Sequence, residues 1–583
     1  MPSHKTFEQL RHSLAHLLAA AVLELWPDAK PAIGPAIENG FYYDFEFPKA
    51  ISDADLPKIE KTMRELLKTW DKFERKEVGQ AEALKFFKDN LYKKELVEEI
   101  AKKDEKITFY TSGNFTDLCR GGHVESAKEI NLEGFKLTHL AGAYWRGSEK
   151  NPMLTRIYGL AFDTKEALEK HLKLQEEMLK RDHRKLGREL NLFTFSDLVG
   201  PGLPLWTTHG TVIREELEQL AKNTEREWGY QRIATPHIAK AKLFETSGHL
   251  PYYEEDMYPG MKLDDATYYL KAMNCPMTME LYKSRPHSYR ELPLRWAEYG
   301  TVYRHERSGV LSGLLRVRGF TQNDAHIFCR EDQAEKEFIK VMQLHEYYYR
   351  DIFGIKNYYV RLSLRDKNKK DKFGGNDETW EKAEHLIRSA IKKSKVPYEE
   401  VAGEATFYGP KADFQIKSVV GREETASTNQ IDFIMPSRFG LNYTGDDGKE
   451  HPVVVIHRAP LGSHERFIAF LIEHYGGAFP LWLAPVQTIL LPINDEVNKY
   501  VAQISEKLQK AGLRVETDSR NLTIGKKIRE ATLQKIPYQI IVGKKEAKAK
   551  KIAVRTRDGR DLGQIKLDKF VSKVLKEIET KTP

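Results

Sequence analysis

The last hundred residues alternate between short apolar runs and amphipathic segments, and this alternation is the feature of the chain that most constrains its fold. "VQTILLPI", "LRVETD" and "YQIIVG" have the composition of strands, whereas "NKYVAQISEKLQKAG" and "TIGKKIREATLQ" place apolar residues at helical spacing. A helix between two strands returns the chain to the same edge of a sheet, so such strands pair in parallel. The pattern predicts an α/β domain with a mainly parallel sheet over residues 483–583.

The same segment carries the positive charge of the chain. From Ala484 to Pro583 there are 22 lysines and arginines against 12 aspartates and glutamates, whereas the whole chain has a net charge of +8. A basic module beside a near-neutral remainder favours a polyanionic partner, most simply a nucleic acid. A lysine-rich surface that contacts only solvent has the same composition, and composition alone leaves both interpretations open.

The rest of the chain divides into three segments of different pattern. Residues 1–163 mix helix-like and strand-like stretches: "HSLAHLLAAAVLELW" stops before a proline, and "NGFYYDFEF" alternates after an Asn-Gly turn. Residues 164–190 have the charged, amphipathic pattern of a connecting helix, and residues 191–482 contain strand-like runs such as "PVVVIH". A chain of this length holds about three to five domains. We therefore expect a multidomain protein of α+β and α/β type.

Several classes of protein are excluded by the sequence. No run approaches the roughly 18 apolar residues of a membrane-spanning helix, and the polar start "MPSHKTFEQLRHS" is unlike a secretory signal. Three cysteines cannot cross-link a chain of 583 residues. We expect a reduced, cytoplasmic protein without a membrane partner, whose cysteines serve chemistry or packing.

Arginines concentrate in two short segments of the central region. The segment 298–332 contains Arg304 and Arg316, and "HRAPLGSHERF" contains Arg466. A planar guanidinium can grip phosphate oxygens with two parallel hydrogen bonds. A single arginine is more often a surface ion-pair partner, but this concentration favours a site for a nucleotide triphosphate. Neither GxxxxGK(S/T) nor GxGxxG is present, so a Walker-type phosphate loop is not expected.

"RHSLAHLL" and "DLCRGGH" each place two metal-binding residue types four positions apart. On a helix, His12 and His16 would share one face, because positions i and i+4 are neighbours there. Cys119 and His123 have the same spacing. Histidine and cysteine are the residues that bind zinc most readily. A zinc site, another kind of site and coincidence all remain open from the residues alone.

Many motifs together resemble one family, the class II aminoacyl-tRNA synthetases. "GYQRIATPHI" resembles motif 1, "YRHE…RVRGFTQNDAHIF" motif 2 and "GSHERF" motif 3, while "MNCP", "FYGPK" and "VIHRA" are similar to the threonyl-tRNA synthetase branch. The resemblance runs along nearly the whole chain and implies a bacterial type that lacks the small N-terminal domain. The implied fold is a class II antiparallel-sheet catalytic core with an N-terminal α+β editing domain and a C-terminal α/β anticodon-binding domain. The implied bounds are 1–163 for the editing domain, 164–190 for a linker helix, 191–482 for the catalytic domain and 483–583 for the anticodon-binding domain.

The resemblance implies a ligase that activates L-threonine with ATP to threonyl-adenylate and transfers it to tRNA(Thr). Arg304 would hold the α-phosphate of ATP and Arg466 the γ-phosphate, while Arg316 would support the charge that develops during attack by the threonine carboxylate. Mg²⁺ would bridge the phosphates, His249 would act near the ribose hydroxyls during transfer, and a homodimer would form through motif 1. Further residues implied for this pocket are Lys411, Gln322, Tyr408, Gln430 and Ser463.

The resemblance also implies one zinc ion per chain, held by Cys275, His326 and His457. Three protein ligands leave open positions for the amino and hydroxyl groups of threonine. Valine has no hydroxyl to ligate the zinc, so it would be rejected. Asp324 would accept the hydrogen bond of the threonine hydroxyl. Read without the resemblance, these ligands are too far apart in sequence to be recognised, and Cys275 resembles a packed small side chain.

Serine is the harder competitor, because the methyl group that it lacks supplies only about 1–3 kcal/mol of discrimination. The resemblance implies a second site, which hydrolyses seryl-tRNA(Thr), at His12, His16, Cys119 and His123. These groups would position a water and assist as general bases. The alternative is a closed zinc site, which has no free position for a water. Further editing residues implied by the resemblance are Asp117, Lys93 and Tyr43, and the implied anticodon-reading residues are Asn521, Glu546 and Arg555.

Two short stretches depart from the family pattern. Met277 and Thr278 stand where Gly-His is frequent, and Thr425 and Ala426 stand where Gln-Cys is usual. Two other functions stay open at this point, a synthetase-like protein that only binds tRNA or regulates, and a free-standing hydrolase of mischarged tRNA. Retention of the three arginines and of the three zinc candidates argues against the first, and the intact central region argues against the second.

Overall fold

Two units make up the chain in the computed structural model. The first is Met1–Glu176 and the second is Glu177–Pro583. Their boundary falls inside a helix, within the segment predicted to connect the first two domains, and the four domain bounds given above remain predictions. The residues that the structure describes are 4–369, 372–418, 421 and 423–581.

The first unit is an α+β fold with two antiparallel sheets. Its elements are α1 (His4–Leu25), β1 (Lys30–Pro31), β2 (Ala36–Ile37), β3 (Gly40–Glu46), α2 (Leu56–Leu67), β4 (Glu74–Glu77), α3 (Gln80–Phe86), α4 (Leu91–Lys102), β5 (Thr108–Ser112), β6 (Phe115–Leu118), β7 (Phe135–Tyr144), β8 (Met153–Ala161) and α5 (Lys165–Arg181), which continues into the second unit. One sheet has the order β1-β3-β8-β7 with β2 beside β3, and the other has the order β4-β5-β6. The helix and the strand expected near the N-terminus are confirmed as α1 and β3.

One face of α1 packs into the core of the first unit. Leu14, Leu18 and Ala21 follow one another at helical spacing and are buried in the cluster that also contains side chains of β3 and α2. Ser13 and His16 are buried as well. The helix therefore carries polar groups into the interior, where they need partners.

The second unit begins with a mixed region around an eight-stranded sheet. Its elements are α6 (His183–Glu189), β9 (Phe193–Thr194), β10 (Leu205–Trp206), α7 (Thr208–Glu227), β11 (Gln231–Arg232), β12 (Ile238–Lys240), α8 (Ala241–Ser247), α9 (His249–Tyr252), β13 (Met261–Leu263), β14 (Ala266–Leu270), α10 (Cys275–Lys283), β15 (Leu294–Tyr303), β16 (Gly319–Cys329), α11 (Glu331–Glu346), β17 (Tyr358–Leu364), α12 (Asp377–Ser394), β18 (Tyr398–Ala402), β19 (Lys411–Lys417), β20 (Glu423–Asp432), α13 (Met435–Phe439), β21 (Asn442–Thr444), β22 (Glu450–Pro452), β23 (Val454–Ala459) and α14 (His464–Tyr475). The order is β11-β15-β16-β23-β20-β19-β17-β18. All neighbours are antiparallel except the outer pairs β11–β15 and β17–β18. The expected antiparallel-sheet core is therefore confirmed.

A buried ion pair joins α7 to the middle of this sheet. The side chains of Arg458 on β23 and Glu225 on α7 are 0% and 1% exposed, and Nη2 lies 2.9 Å from Oε1. Asn323 on β16 donates its amide to the same carboxylate oxygen at 2.8 Å. The guanidinium also lies 4.2 Å from the ring centroid of Tyr230. Buried charges persist only with such partners, so the pair fixes where α7 meets the sheet.

The C-terminal part of the second unit is an α/β fold. Its elements are β24 (Thr488–Pro492), α15 (Asn498–Lys510), β25 (Val515–Thr517), α16 (Ile524–Leu533), β26 (Tyr538–Val542), α17 (Lys544–Ala549), β27 (Ile552–Thr556), β28 (Asp561–Ile565) and α18 (Leu567–Glu579). The strand order is β25-β24-β26-β27-β28. The first three strands are parallel, as the alternation predicts, whereas β27 and β28 add an antiparallel hairpin at one edge. Within the described ranges, no helix is both long and apolar enough to cross a membrane.

The buried ion pair generates a prediction about stability. Glu225→Gln keeps the shape of the side chain but leaves the Arg458 charge without its counterion, which should destabilise the second unit by about 3–5 kcal/mol. Glu218 lies on the same helix in a half-exposed pair with Lys222, so Glu218→Gln should cost less than about 1 kcal/mol. Urea unfolding followed by tryptophan fluorescence compares the two variants. Equal losses would show that the buried pair is not a fixed point of the sheet.

Candidate active site and the N-terminal histidine cluster

A cleft of about 450 Å³ lies against the eight-stranded sheet. Its walls come from β16, β19 and β20, from the first turn of α14 and from the loop between β15 and β16, so residues that are distant in sequence meet there. The predicted site residues that line it are His249, Cys275, Arg304, Arg316, Gln322, Tyr408, Lys411, Gln430, Ser463 and Arg466.

Three arginines concentrate positive charge in this cleft. Nε of Arg304 donates to the carbonyl of Ala272 at 3.2 Å, and Nε of Arg466 donates to the carbonyl of Leu315 at 3.0 Å. Burial lowers the pKa of Arg466, and the neighbouring charges of Arg304 and Arg316 lower it further. A polyanion in the cleft would relieve this repulsion, so the arrangement suits a triphosphate.

Arg316 ends a tight turn that comprises residues 312–316. The backbones of Ser312 and Arg316 exchange two hydrogen bonds, at 3.2 and 3.3 Å. Nε and Nη2 of Arg316 each lie 2.8 Å from Oε2 of Glu306. The carboxylate of Glu306 therefore competes with any anionic ligand for this guanidinium, and the arginine is oriented before a ligand arrives.

Cys275, His326 and His457 meet beside the cleft. All three are buried, and their candidate ligand atoms lie within 4.8 Å of one another. Strand register explains the meeting, because His326 on β16 is directly opposite His457 on β23. Nε2 of His457 is 3.0 Å from Oδ2 of Asp432, whereas Nε2 of His326 is buried without a hydrogen-bond partner in the described part of the chain. A carboxylate that orients one imidazole, and a second imidazole with a free nitrogen beside a thiol, fit a zinc-type cation.

The carboxylate of Asp324 is held next to these residues. Asn274, which precedes Cys275, donates Nδ2 to Oδ2 of Asp324 at 3.0 Å. A Cβ atom at Gly300 would fall 2.1 Å from Oδ1 of Asn274, so the glycine makes room for this amide. Burial raises the pKa of Asp324 to about 6. Sequence reasoning missed Asn274 and Asp432, and the only signal was their position inside "MNCP" and "IDF".

Other predicted residues form a row across neighbouring strands. Lys411 is paired with Gln430, and Gln430 with His457, in the register of β19, β20 and β23. The hydroxyl of Tyr408 donates to Oε1 of Gln430, and Lys411 contacts the carboxylate of Asp413. Lys411 and Gln430 therefore enter the cleft from strands β19 and β20, whereas Tyr408 comes from the loop between β18 and β19.

His249 lines the same cleft, and its imidazole is uncharged. Its Nδ1 lies 2.8 Å from the hydroxyl of Ser247. Burial, together with the nearby His457 and Arg304, lowers the pKa of His249 to about 3. A neutral imidazole can accept a hydrogen bond from a substrate hydroxyl, which a charged one cannot.

His12, His16, Cys119 and His123 form a second cluster, in the first unit. Sγ of Cys119 lies 3.1 Å from Nε2 of His12 and 3.3 Å from Nε2 of His123, and the four candidate ligand atoms lie within 4.8 Å of one another. The hydroxyl of Ser13 is 3.2 Å from Nδ1 of His123. Burial raises the pKa of Cys119 to about 12 and lowers that of His123 to about 2. At neutral pH, these groups are therefore a protonated thiol and uncharged imidazoles.

The remaining predicted editing residues form the charged side of this cluster. Nζ of Lys93 lies 2.5 Å from Oδ1 of Asp117, and the hydroxyl of Tyr43 donates to Oδ2 of Asp117 at 2.5 Å. Nδ1 of His16 is 3.6 Å from the same Oδ2. Four separate segments of the first unit thus bring all seven predicted residues into one network, which is buried except for the partly exposed His12.

The three predicted anticodon residues lie in the C-terminal α/β fold. Asn521 is exposed in the loop before α16, and Glu546 lies in the first turn of α17, so both follow carboxyl ends of parallel strands. The carboxylate of Glu546 accepts hydrogen bonds from the backbone of Gly543 at 2.9 Å and from Gln564 at 2.6 Å. Arg555 lies on β27, in the antiparallel part of the sheet.

Comparison with known proteins gives matches along most of the chain. Residues 260–475 match the family described as tRNA synthetase class II core domain (G, H, P, S and T), residues 487–577 an anticodon binding domain, and residues 107–158 the threonyl and alanyl tRNA synthetase second additional domain. A threonine–tRNA ligase of Staphylococcus carnosus is 50% identical over 581 residues, which are 99% of this chain and 89% of the relative, and that of Staphylococcus epidermidis is 49% identical over 99% and 90%. The solved RNA binding domain of threonyl-tRNA synthetase from Cryptosporidium parvum is similar with a TM-score of 0.65 at 36% identity, over 68% of this chain and 98% of that chain.

A largely antiparallel eight-stranded sheet, with an arginine-lined cleft and a match to the class II core, defines a class II aminoacyl-tRNA synthetase. The identity of 50% with a threonine–tRNA ligase over 99% of the chain narrows this class to the synthetases of one amino acid, threonine. The chain belongs to the threonine–tRNA ligase family. The family that the motifs resemble is therefore confirmed, whereas the roles of the individual site residues remain predictions.

Proposed function

We propose that the chain activates L-threonine with ATP to give threonyl-adenylate, transfers the threonine to tRNA(Thr), and hydrolyses mischarged seryl-tRNA(Thr). The observation that carries this proposal is the 50% identity with a threonine–tRNA ligase over 581 residues. The matches to the class II core and to the second additional domain support aminoacylation and editing, respectively. A protein that only binds tRNA would have no need of the three arginines, which the cleft retains.

Activation joins the threonine carboxylate to the α-phosphorus of ATP and releases pyrophosphate. Arg304 and Arg466 would hold the α- and γ-phosphates, since each guanidinium is already oriented by a bond to a backbone carbonyl. Arg316 would exchange Glu306 for the charge that develops in the transition state. Mg²⁺ that enters with ATP would supply further neutralisation of the triphosphate.

Transfer moves the threonyl group from AMP to a ribose hydroxyl of the terminal adenosine of tRNA. The uncharged imidazole of His249, held by Ser247, would accept the hydrogen bond of that hydroxyl. Lys411 and Gln430, which are paired across β19 and β20, would line the same part of the pocket. Further substrate contacts would come from Gln322, Tyr408 and Ser463.

Selection of threonine would depend on the residues beside the cleft. Cys275, His326 and His457 would hold one zinc ion per chain, because they combine a thiol with two imidazoles, one of them with a buried nitrogen that has no partner in the described residues. A zinc ion bound there would offer open positions to the amino and hydroxyl groups of threonine. Asp324, oriented by Asn274, would accept the hydrogen bond of the threonine hydroxyl. Valine has no hydroxyl to occupy a zinc position or to donate to that carboxylate, and the loss of these contacts costs binding energy.

Editing would take place in the N-terminal cluster. His12, Cys119 and His123 would hold a water by hydrogen bonds against the ester of seryl-tRNA(Thr), with the Lys93–Asp117 pair as the fixed charged wall. The match of residues 107–158 to the second additional domain supports this role. A zinc ion held by all four Cys and His ligands would leave no free position for the water.

The C-terminal fold would bind the anticodon arm of tRNA(Thr). Asn521, Glu546 and Arg555 would contact base edges, because unstacked loop bases are the usual targets of sequence-specific RNA recognition. The segment 544–551, which contains α17, has five lysines around Glu546, and these would attract the phosphates and make binding depend on salt. The match to an anticodon binding domain over residues 487–577 supports this partner.

A homodimer and a cytoplasmic location are further parts of the proposal. Leu198 is 100% exposed, and Phe195, Val199 and Leu205, which also precede α7, are exposed as well. Contiguous exposed apolar side chains are typical of a subunit contact. The three cysteines are free, buried thiols, as expected of a protein in a reducing compartment.

Threonine-dependent exchange of labelled pyrophosphate into ATP tests the proposed activity. We expect exchange with threonine, weaker exchange with serine and no exchange with valine above background. Arg304→Ala should lower exchange at least about 100-fold, because a preorganised partner of the transition-state charge is lost. No exchange with threonine would leave a tRNA-binding module, and a preference for serine would mean that the amino acid is misassigned.

Metal analysis of the purified protein tests the zinc proposal. We expect about one zinc per chain, and we expect Cys275→Ser to lose it because one of three ligands is removed. Cys329→Ser is the matched control, since Cys329 is also a buried thiol of the second unit but lies outside the cluster. A His12→Ala/His16→Ala double variant should retain its zinc. Loss of zinc from that double variant would place the metal in the N-terminal cluster instead.

Hydrolysis of preformed seryl-tRNA(Thr) tests the editing proposal. Cys119→Ala or His12→Ala should slow this hydrolysis about 100-fold, the usual range for loss of a positioned acid–base group. Threonylation of tRNA(Thr) should be nearly unchanged, so seryl-tRNA(Thr) accumulates when serine is present. Normal hydrolysis by both variants would show that the cluster takes no part in the editing reaction.

A further inference from the structure

We infer that His183 is a positioning residue for threonine activation, which holds the turn 312–316 and so determines where Arg316 lies. The inference rests on the proposed function of the cleft and extends it, because His183 lies on α6, outside the residues that line the cleft.

The two ring nitrogens of His183 contact different elements. Nδ1 lies 2.8 Å from Oε1 of Glu473, near the end of α14, and the backbone N–H of Leu314 donates to Nε2 at 3.1 Å. The side chain is only 2% exposed. A backbone N–H can only donate, so Nε2 carries no proton, and Nδ1 carries the proton and donates to Glu473. The neutral imidazole therefore bridges α14 and the turn.

The turn approaches the imidazole so closely that it requires a glycine. Gly313 has a φ of +49°, and a Cβ atom there would fall 2.2 Å from Nε2 of His183. The side chain of Leu314 is fully buried in the core of the second unit. Both the backbone and a side chain of the turn are therefore fixed, and the ring sets the distance between the turn and α6.

Both ends of α14 hold the same turn. Arg466, in the first turn of this helix, donates Nε to the carbonyl of Leu315 at 3.0 Å. Glu473, in the last turn, acts through His183 on the N–H of Leu314. Two consecutive residues are thus tied to one helix immediately before the arginine that the turn presents. Loss of the imidazole acceptor would remove one of the two hydrogen bonds that hold the turn, and it would leave the buried N–H of Leu314 unpaired.

Two variants of His183 separate its two bonds. Asn places an amide nitrogen near the position of Nδ1 and keeps the donor to Glu473, whereas Gln places its carbonyl oxygen near Nε2 and keeps the acceptor for Leu314. We expect His183→Asn to lower kcat/KM for ATP in threonine-dependent pyrophosphate exchange about 10-fold, with His183→Gln within about 3-fold of wild type. KM for threonine should change in neither variant, because the threonine contacts lie on other elements.

Gly313→Ala supplies an independent variant that leaves His183 itself intact. Its methyl group would press on Nε2 and displace the turn, so we expect the same defect in kcat/KM for ATP as in His183→Asn. Hydrolysis of preformed seryl-tRNA(Thr) by all three variants is the control. It should stay at the wild-type rate, because that reaction is assigned to the first unit.

Equal kcat/KM values for ATP in the two His183 variants, whether both normal or both reduced, would overturn the inference, since a role in packing alone does not distinguish the two bonds. Normal exchange by Gly313→Ala would overturn it as well. Absence of threonine-dependent exchange in the wild-type protein would instead overturn the proposed function, and this inference with it. Active wild-type protein with insensitive variants would overturn the inference alone.

Discussion

The pairing of β16 with β23 is the interaction on which the rest of the active site depends. This register puts His326 opposite His457, and β20 continues the row with Gln430. Side chains alternate between the faces of a strand, so a shift by one residue would turn each of these groups to the other face. Arg458 follows His457 and therefore faces the opposite side, where it pairs with Glu225. One short strand thus builds the site on one face and is anchored to α7 on the other.

The two histidine–cysteine clusters contain the same residue types, but their hydrogen-bond partners and neighbouring charges differ, and so does the chemistry that each cluster suits. Beside the cleft, one imidazole is oriented by Asp432 and another has a buried nitrogen with no partner in the described residues, so the cluster could hold a cation. In the first unit, Cys119 already lies within hydrogen-bond distance of two imidazoles. The charge there belongs to Lys93 and Asp117, which neutralise each other. The first arrangement suits a Lewis acid, and the second suits a bound water.

How much of this could be predicted from the sequence depends on the range of each interaction. The strand–helix alternation and the shared helix of His12 and His16 are local patterns, and both are present in the structure. The arginine cleft was predictable through family motifs, which carry information about distant contacts. Asn274 and His183 have no such local signal, because their partners come from strands and turns far along the chain. The hairpin of β27 and β28 was missed although its turn has a local signal, since Asp558-Gly559 lies between the two strands and Gly559 has a φ of +90°.

The burial of the N-terminal histidines has a consequence for cells whose interior turns acidic. An exposed histidine gains a proton between about pH 7 and pH 6, and a site built from such residues changes its charge with every metabolic fluctuation. Burial keeps the pKa of His16 well below that range and lowers the pKa of His123 to about 2. These two imidazoles therefore stay uncharged under mild acid stress, so their contribution to the charge of the cluster does not follow swings in internal pH.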